Sequence, residues 1–236
     1  MVKQEIYIPT ELNDIPLYKY LQFVQIDPEA SEDFKAKRML QIFCDISPQD
    51  FRNIKHQDIE NLLFKLNNVL NSQPKLERTF DLNGVKYGII PNFDEKSFGE
   101  FIDIDNITDY KKDLDRLMSI IYRKVIKSDG HRYEIEPYKS SYKFKDIPTG
   151  IALGALVFFW TIGRDCLNAT LKFTKKTQMQ MKDLKGFPKN GNGTAQSLDY
   201  ATETLEGLMK SLLSATIPSY FGLPIKAIWL PYNEKK

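Results

Sequence analysis

The chain has 236 residues, of which 42% are hydrophobic and 27% charged, and this is an ordinary globular composition. A chain of this length can bury a sizeable core without disulfides or metals. Its 33 basic and 31 acidic side chains leave a net charge of +2, which excludes the strong overall field that drives nucleic-acid binding. The opening residues are polar and no apolar stretch of a signal peptide follows, so we expect folding in a reducing cytoplasm.

The N-terminal third of the chain is predicted to be helical after one short strand. Residues 5–8 are a predicted strand that Pro9 ends. Asn13 or Asp14 is a predicted cap for the next helix, with Pro16 near its first turn. Three further helical segments are predicted at residues 31–45, around residue 51 and at 56–70.

The pattern then changes to hairpins separated by helices. Asn83-Gly84 lies between alternating apolar residues, which is the strongest short-range hairpin signal. A second hairpin is predicted to turn at residues 128–130. Helices are predicted at 97–104, 114–122, 148–181 and 195–215. The predicted fold class is therefore α+β, predominantly α-helical with two β-hairpins.

Three regions are predicted along the chain. Residues 1–185 form a mostly helical core domain with the two hairpins, and residues 186–194 form a flexible glycine-rich loop. Residues 195–236 form a C-terminal helix and an apolar tail. The uncharged run at 151–163 has thirteen residues, whereas a bilayer span needs about twenty, so a buried core helix and no membrane contact are predicted.

Few residues are candidates for chemistry. The two histidines, His56 and His131, lie in turns of different elements and have no metal-ligand partner at the required spacing. Cys44 and Cys166 lie in apolar helical patterns, so packing is the expected role of both. No nucleophile–base pair and no phosphate-binding glycine loop is present in the sequence. We therefore predict no enzyme activity, no catalytic residue, no metal and no cofactor.

An acidic cluster and a basic helix are the remaining candidates for a site. The acids lack the full pattern of a calcium loop, so helix capping and solvated surface are favoured over a cation site. Helical spacing predicts that Phe98, Phe101 and Ile102 point inward and the acids outward. The basic bias at 164–189 is interpreted as a solvated face rather than a contact to phosphates or an acidic partner. The acids are Asp94, Glu100, Asp103, Asp105 and Asp109, and the clustered lysines are Lys172, Lys175 and Lys176.

The apolar tail after Pro218 is the candidate partner-binding segment. Aromatic, proline-rich ends often bind other proteins, and packing on the chain's own domain is an equal alternative. The candidate partner-binding residues are Tyr220, Phe221, Ile228, Trp229 and Tyr232.

Several segments, in this order, resemble a family of tailed-bacteriophage proteins encoded among virion and tail genes. The first is a strand followed by Pro9-Thr10 and a helix, and the resemblance extends to about residue 173. The segments are residues 7–17, 80–93, 97–105, 117–123, 133–138 and 154–160.

The functional class nearest to this resemblance is the tail assembly chaperone. It implies a non-enzymatic protein in the host cytoplasm that binds tape-measure or tail tube protein and keeps apolar helices soluble. The alternative is a structural virion component, such as a neck, ring or capsid-associated protein. Other phage proteins are the expected partners, a homo-oligomer is allowed, and neither nucleic acid nor a membrane is expected. The least favoured hypothesis is an enzyme or nucleic-acid binder that uses the acidic cluster or the basic helix.

Overall fold

The computed structural model describes residues 6–92, 96–107, 109–130, 132–139, 144–183 and 200–205. The chain divides into two compact units, and the boundary lies between Ala155 and Leu156. The described residues contain helices and a four-stranded antiparallel sheet, which confirms the α+β, mainly helical fold class. The predicted loop at 186–194 lies outside them, whereas residues 200–205 are helical.

Three helices open the first unit. Helix α2 begins as predicted, because the Ser31 hydroxyl accepts a hydrogen bond from the Phe34 amide and so caps its first turn. Each helix turns an apolar stripe to the core. The helices are α1 (Leu17–Val24), α2 (Glu32–Cys44) and α3 (His56–Leu70), and 3₁₀ turns cover Leu12–Asp14 and Asp50–Asn53.

Two predictions near the N-terminus were wrong. Residues 6–8 are not in a strand, because no described strand pairs with them and Tyr7 is exposed. Pro16 rather than Asn13 or Asp14 precedes the first turn of α1. The Asp14 carboxylate instead accepts hydrogen bonds from the Thr10 amide and hydroxyl, which lower its pKa.

The sheet is built from the two predicted hairpins. Asn83 and Gly84 have φ of 51° and 76°, as the tight turn between the first two strands requires. Gly130, with φ of 56°, closes the second hairpin. The second and third strands pair antiparallel, so the strand order follows the sequence. The strands are β1 (Thr79–Leu82), β2 (Val85–Ile89), β3 (Tyr122–Asp129) and β4 (Arg132–Ile135), with α4 (Phe98–Asp105) and α5 (Tyr110–Ile121) between β2 and β3.

An aromatic cluster anchors the sheet to its surroundings. Tyr122 is fully buried where α5 passes into β3, and its hydroxyl donates to the Glu77 carbonyl at 2.6 Å. Phe80 packs edge-on against Tyr122, with ring centroids 5.4 Å apart. The ring of Phe144 lies 4.7 Å from that of Tyr87. These contacts join residues far apart in the sequence and fix the sheet in the core.

Helix α6 (Thr149–Asp183) begins in the first unit and continues into the second. Its first turns are buried, and a Cβ added at Gly154 would lie 2.0 Å from the Lys75 carbonyl oxygen, so only glycine allows this close approach. Residues 149–177 are long and apolar enough to cross a bilayer by length and composition, and 28% of the 18-residue window that meets this criterion is buried. Residues 151–155 are buried, whereas residues 156–163 are half-buried or exposed, so the predicted buried core helix is found only at the start of this run.

Candidate interaction surface on helix α4

Helix α4 begins with a capping box. The Ser97 hydroxyl accepts a hydrogen bond from the Glu100 amide at 3.3 Å, and the Glu100 carboxylate accepts one from the Ser97 amide at 2.6 Å. These bonds satisfy two amides that have no partner inside the helix. Glu100 is thereby fixed on one face of α4, and that face points into the protein.

A buried ion pair holds this face against the sheet. The second carboxylate oxygen of Glu100 lies 2.6 Å from Nη2 of Arg123 in β3. The two side chains are 5% and 12% exposed, respectively. Attraction between buried charges is weakly screened, and separating them would leave a desolvated charge unpaired. The pair therefore fixes the orientation of α4 relative to β3.

A second pair lies one turn further along α4. The Asp103 carboxylate lies 2.9 Å from Nη2 of Arg116 in α5 and also accepts a hydrogen bond from the Tyr138 hydroxyl. The pKa of Tyr138 is raised to about 12, mainly by burial and secondly by this hydrogen bond. Arg123 lies over the Tyr138 ring, 6.0 Å from its centroid. The two ion pairs thus belong to one polar layer beneath α4.

The outer face of α4 is apolar, and the prediction for this helix was wrong. Phe98 is 78% exposed and Phe101 is 56% exposed, and Ile102 is exposed as well. Glu100 is buried and Asp103 is half-buried, so these two acids point inward and not outward as predicted, whereas Asp105 is exposed as predicted. Residues 98, 101, 102 and 105 share one helical face, and Asp105 adds one exposed charge to it.

This arrangement is unfavourable for an isolated chain. Burying a large apolar side chain contributes roughly 1.5–3 kcal/mol, and two phenylalanines forgo most of that gain here. A contiguous exposed apolar patch on a folded protein commonly marks an interaction site. The outer face, consisting of Phe98, Phe101, Ile102 and Asp105 and called the α4 face below, is therefore the candidate interaction surface.

The predicted partner-binding residues belong to the tail and not to this surface. All five lie beyond residue 205, outside the described part of the chain. They are Tyr220, Phe221, Ile228, Trp229 and Tyr232.

The histidines and cysteines fall into three classes. His56 is exposed and lies 3.1 Å from Glu60 in the same helix, as expected for a surface residue, and His131 is outside the described residues. Cys44 is buried as predicted, and burial raises its pKa to about 11. The prediction that Cys166 is packed was wrong, because this residue lies on an exposed face of α6.

The acidic cluster does not converge on one point. Asp109 lies 3.3 Å from Lys112, and Asp94 is outside the described residues. Within the described ranges, no group of three or more histidine, cysteine, aspartate or glutamate side chains could hold a metal ion. The three clustered lysines, Lys172, Lys175 and Lys176, are exposed on α6.

Sequence reasoning missed the residues that orient α4. No local pattern links α4 to Arg116, Arg123 and Tyr138, because these residues lie on three other segments. One local signal was present, since Ser97 and Glu100 have the spacing of a capping box. That pattern predicts where the helix starts, and it says nothing about which face is buried.

Comparisons with known proteins add no relative. No family model matches the chain, and no curated protein and no solved structure matches it either.

Proposed function

We propose that this protein is a non-enzymatic component of bacteriophage tail assembly that binds tape-measure or tail tube protein as a chaperone. The phage assignment is supported by the ordered resemblance of residues 5–173 to virion and tail-module proteins. The binding role is supported by one observation, the α4 face. Its location would be the host cytoplasm during assembly.

The α4 face suits a chaperone because it offers apolar surface without exposing the core. Phe98 and Phe101 lie on the exposed face of α4, and two ion pairs hold the opposite face of this helix against the protein. A partner helix that covers both rings regains the burial energy that the free protein forgoes. Asp105 beside them favours a partner with a basic residue next to its apolar stripe.

The ionisable groups beneath this face have structural partners that hold the face in place. Glu100 and Asp103 each have an arginine within 3 Å, and Glu100 also caps the helix. These contacts tie the buried side of α4 to α5 and to β3. The polar layer therefore has a sufficient structural role in orienting α4.

The test is co-expression with the tape-measure protein of the same phage. The wild-type chain should keep that protein in the soluble fraction and co-purify with it. The double variant F98S/F101S should lose both effects, because serine removes the rings and has a helix propensity close to that of phenylalanine.

The matched control is F34S/F64S, which removes two exposed phenylalanines from α2 and α3. It should behave like the wild type, and an equal loss in both variants would contradict the assignment to α4. Mass spectrometry of purified virions completes the test, since a chaperone leaves before maturation. A stoichiometric amount in the virion would show that the protein is a structural component instead.

A further inference from the structure

The part of α6 in the second unit carries a second exposed apolar row. Ile162, Cys166, Ala169 and Phe173 are all exposed, and Phe173 is 71% exposed. Their spacings of four, three and four residues are those of a coiled-coil seam. At 100° per residue they lie within a sector of about 60° on the helix surface.

The rest of this helix shows that the seam is a separate face. Trp160, Leu167 and Leu171 lie on the other side of α6 and are half-buried. Arg164 stacks over Trp160 at 5.2 Å and is also half-buried. The helix thus has a partly covered face and an open apolar face, and the open face can accept another helix.

The charges beside the seam determine what fits it. Asp165 and Lys172 are exposed on the same flank, seven residues apart, whereas Gly163 and Thr170 on the other flank carry no charge. Asp165 lies 3.0 Å from Arg164, but a surface contact of this kind is weak enough to yield to another partner. The charges on this flank therefore complement those on the same flank of a second copy that runs in the opposite direction.

We propose that a second copy of this chain packs antiparallel on this seam. In that register Ile162 lies opposite Phe173 of the second copy, and Cys166 lies opposite Ala169. Asp165 then faces Lys172 of the second copy, and the two-fold axis produces the same ion pair twice. A parallel pair would place Asp165 opposite Thr170 and lose both ion pairs. The proposal is independent of the α4 face.

The test measures the mass of the full-length protein by light scattering over a range of concentrations. The wild type should reach the dimer mass. D165K should weaken the dimer about tenfold, because both ion pairs become like-charge pairs, and K172D should do the same. The double variant D165K/K172D should return to wild-type strength, because the exchanged charges pair again.

Cross-linking provides a second measurement on the C44S variant, in which Cys166 is the remaining cysteine. The two copies of Cys166 are separated by about 4.5 Å along the helix axis in the proposed register. A short bismaleimide should therefore yield the covalent dimer, and F173S should reduce the yield.

Three results would overturn the proposal. They are a monomer at all concentrations, a dimer that neither charge reversal weakens, and a double variant as weak as the single ones. Flotation of a monomer with phosphatidylcholine vesicles would assign the seam to a lipid surface and would equally exclude the pairing.

Discussion

Replacing Arg123 with methionine should destabilise the protein by about 2–4 kcal/mol. The change leaves Glu100 charged in a site where its side chain is 5% exposed, and an unpaired buried charge costs about 3–5 kcal/mol. Part of this cost is offset, because Nε of Arg123 has no hydrogen-bond partner among the described residues. Removing such a donor regains about 1 kcal/mol. Methionine keeps much of the apolar stem, so lost packing adds little.

The matched variant is R116M, which removes the partner of Asp103 from the same polar layer. Arg116 is 34% exposed and Asp103 is 18% exposed, so water replaces much of the lost interaction and we expect about 1 kcal/mol. Urea denaturation followed by far-UV circular dichroism measures both values. An R123M variant no less stable than R116M would refute the reasoning, because burial would then not determine the strength of the pairs.

Three other predictions test packing, reactivity and pH dependence. Gly154→Ala should cost about 1–3 kcal/mol in thermal denaturation, because its Cβ would lie 2.0 Å from a backbone carbonyl oxygen. Gly163→Ala, which meets nothing within 4 Å, should stabilise by up to about 1 kcal/mol, and equal effects would contradict the close approach. In native protein at pH 8, iodoacetamide should leave Cys44 unmodified, because burial raises its pKa to about 11. Peptide mass spectrometry should find Cys44 modified in urea, and labelling of Cys44 in native protein as fast as in urea would argue against burial. The pKa of Tyr138 is raised from 10.0 to about 12, so its contribution to stability is complete below pH 10 and is lost as the pH rises toward 12. Y138F should therefore lose less stability than the wild type over that window in urea denaturation, and parallel curves would exclude a role for the phenol.

Local sequence signals predicted most elements because their causes are local. The Ser31 hydroxyl caps α2 with an amide three residues away. Asn83 and Gly84 determine the turn of the first hairpin by their own backbone preferences. Such features need no knowledge of the rest of the chain, and they lie where the sequence predicted them.

Contacts between distant segments were not predictable in the same way. The pairing of β2 with β3 joins Gly88 to Arg123 across two intervening helices. The opposite error occurred at residues 6–8, where a strand-like pattern has no described strand beside it. Alternating apolar residues give a strand one apolar face. The strand also needs a neighbouring strand in register, which forms its backbone hydrogen bonds.

The orientation of α4 shows most clearly where local reasoning ends. Its apolar and acidic faces could each be buried, and hydrophobicity alone favours burying the phenylalanines. The acidic face is buried because Arg116 and Arg123, 13 and 23 residues further along the chain, supply counter-charges. A helix that breaks the local rule in this way is expected at a functional surface. The same two arginines support the fold and present the α4 face, so R123M should weaken partner binding as well as stability, whereas F98S/F101S should weaken binding alone.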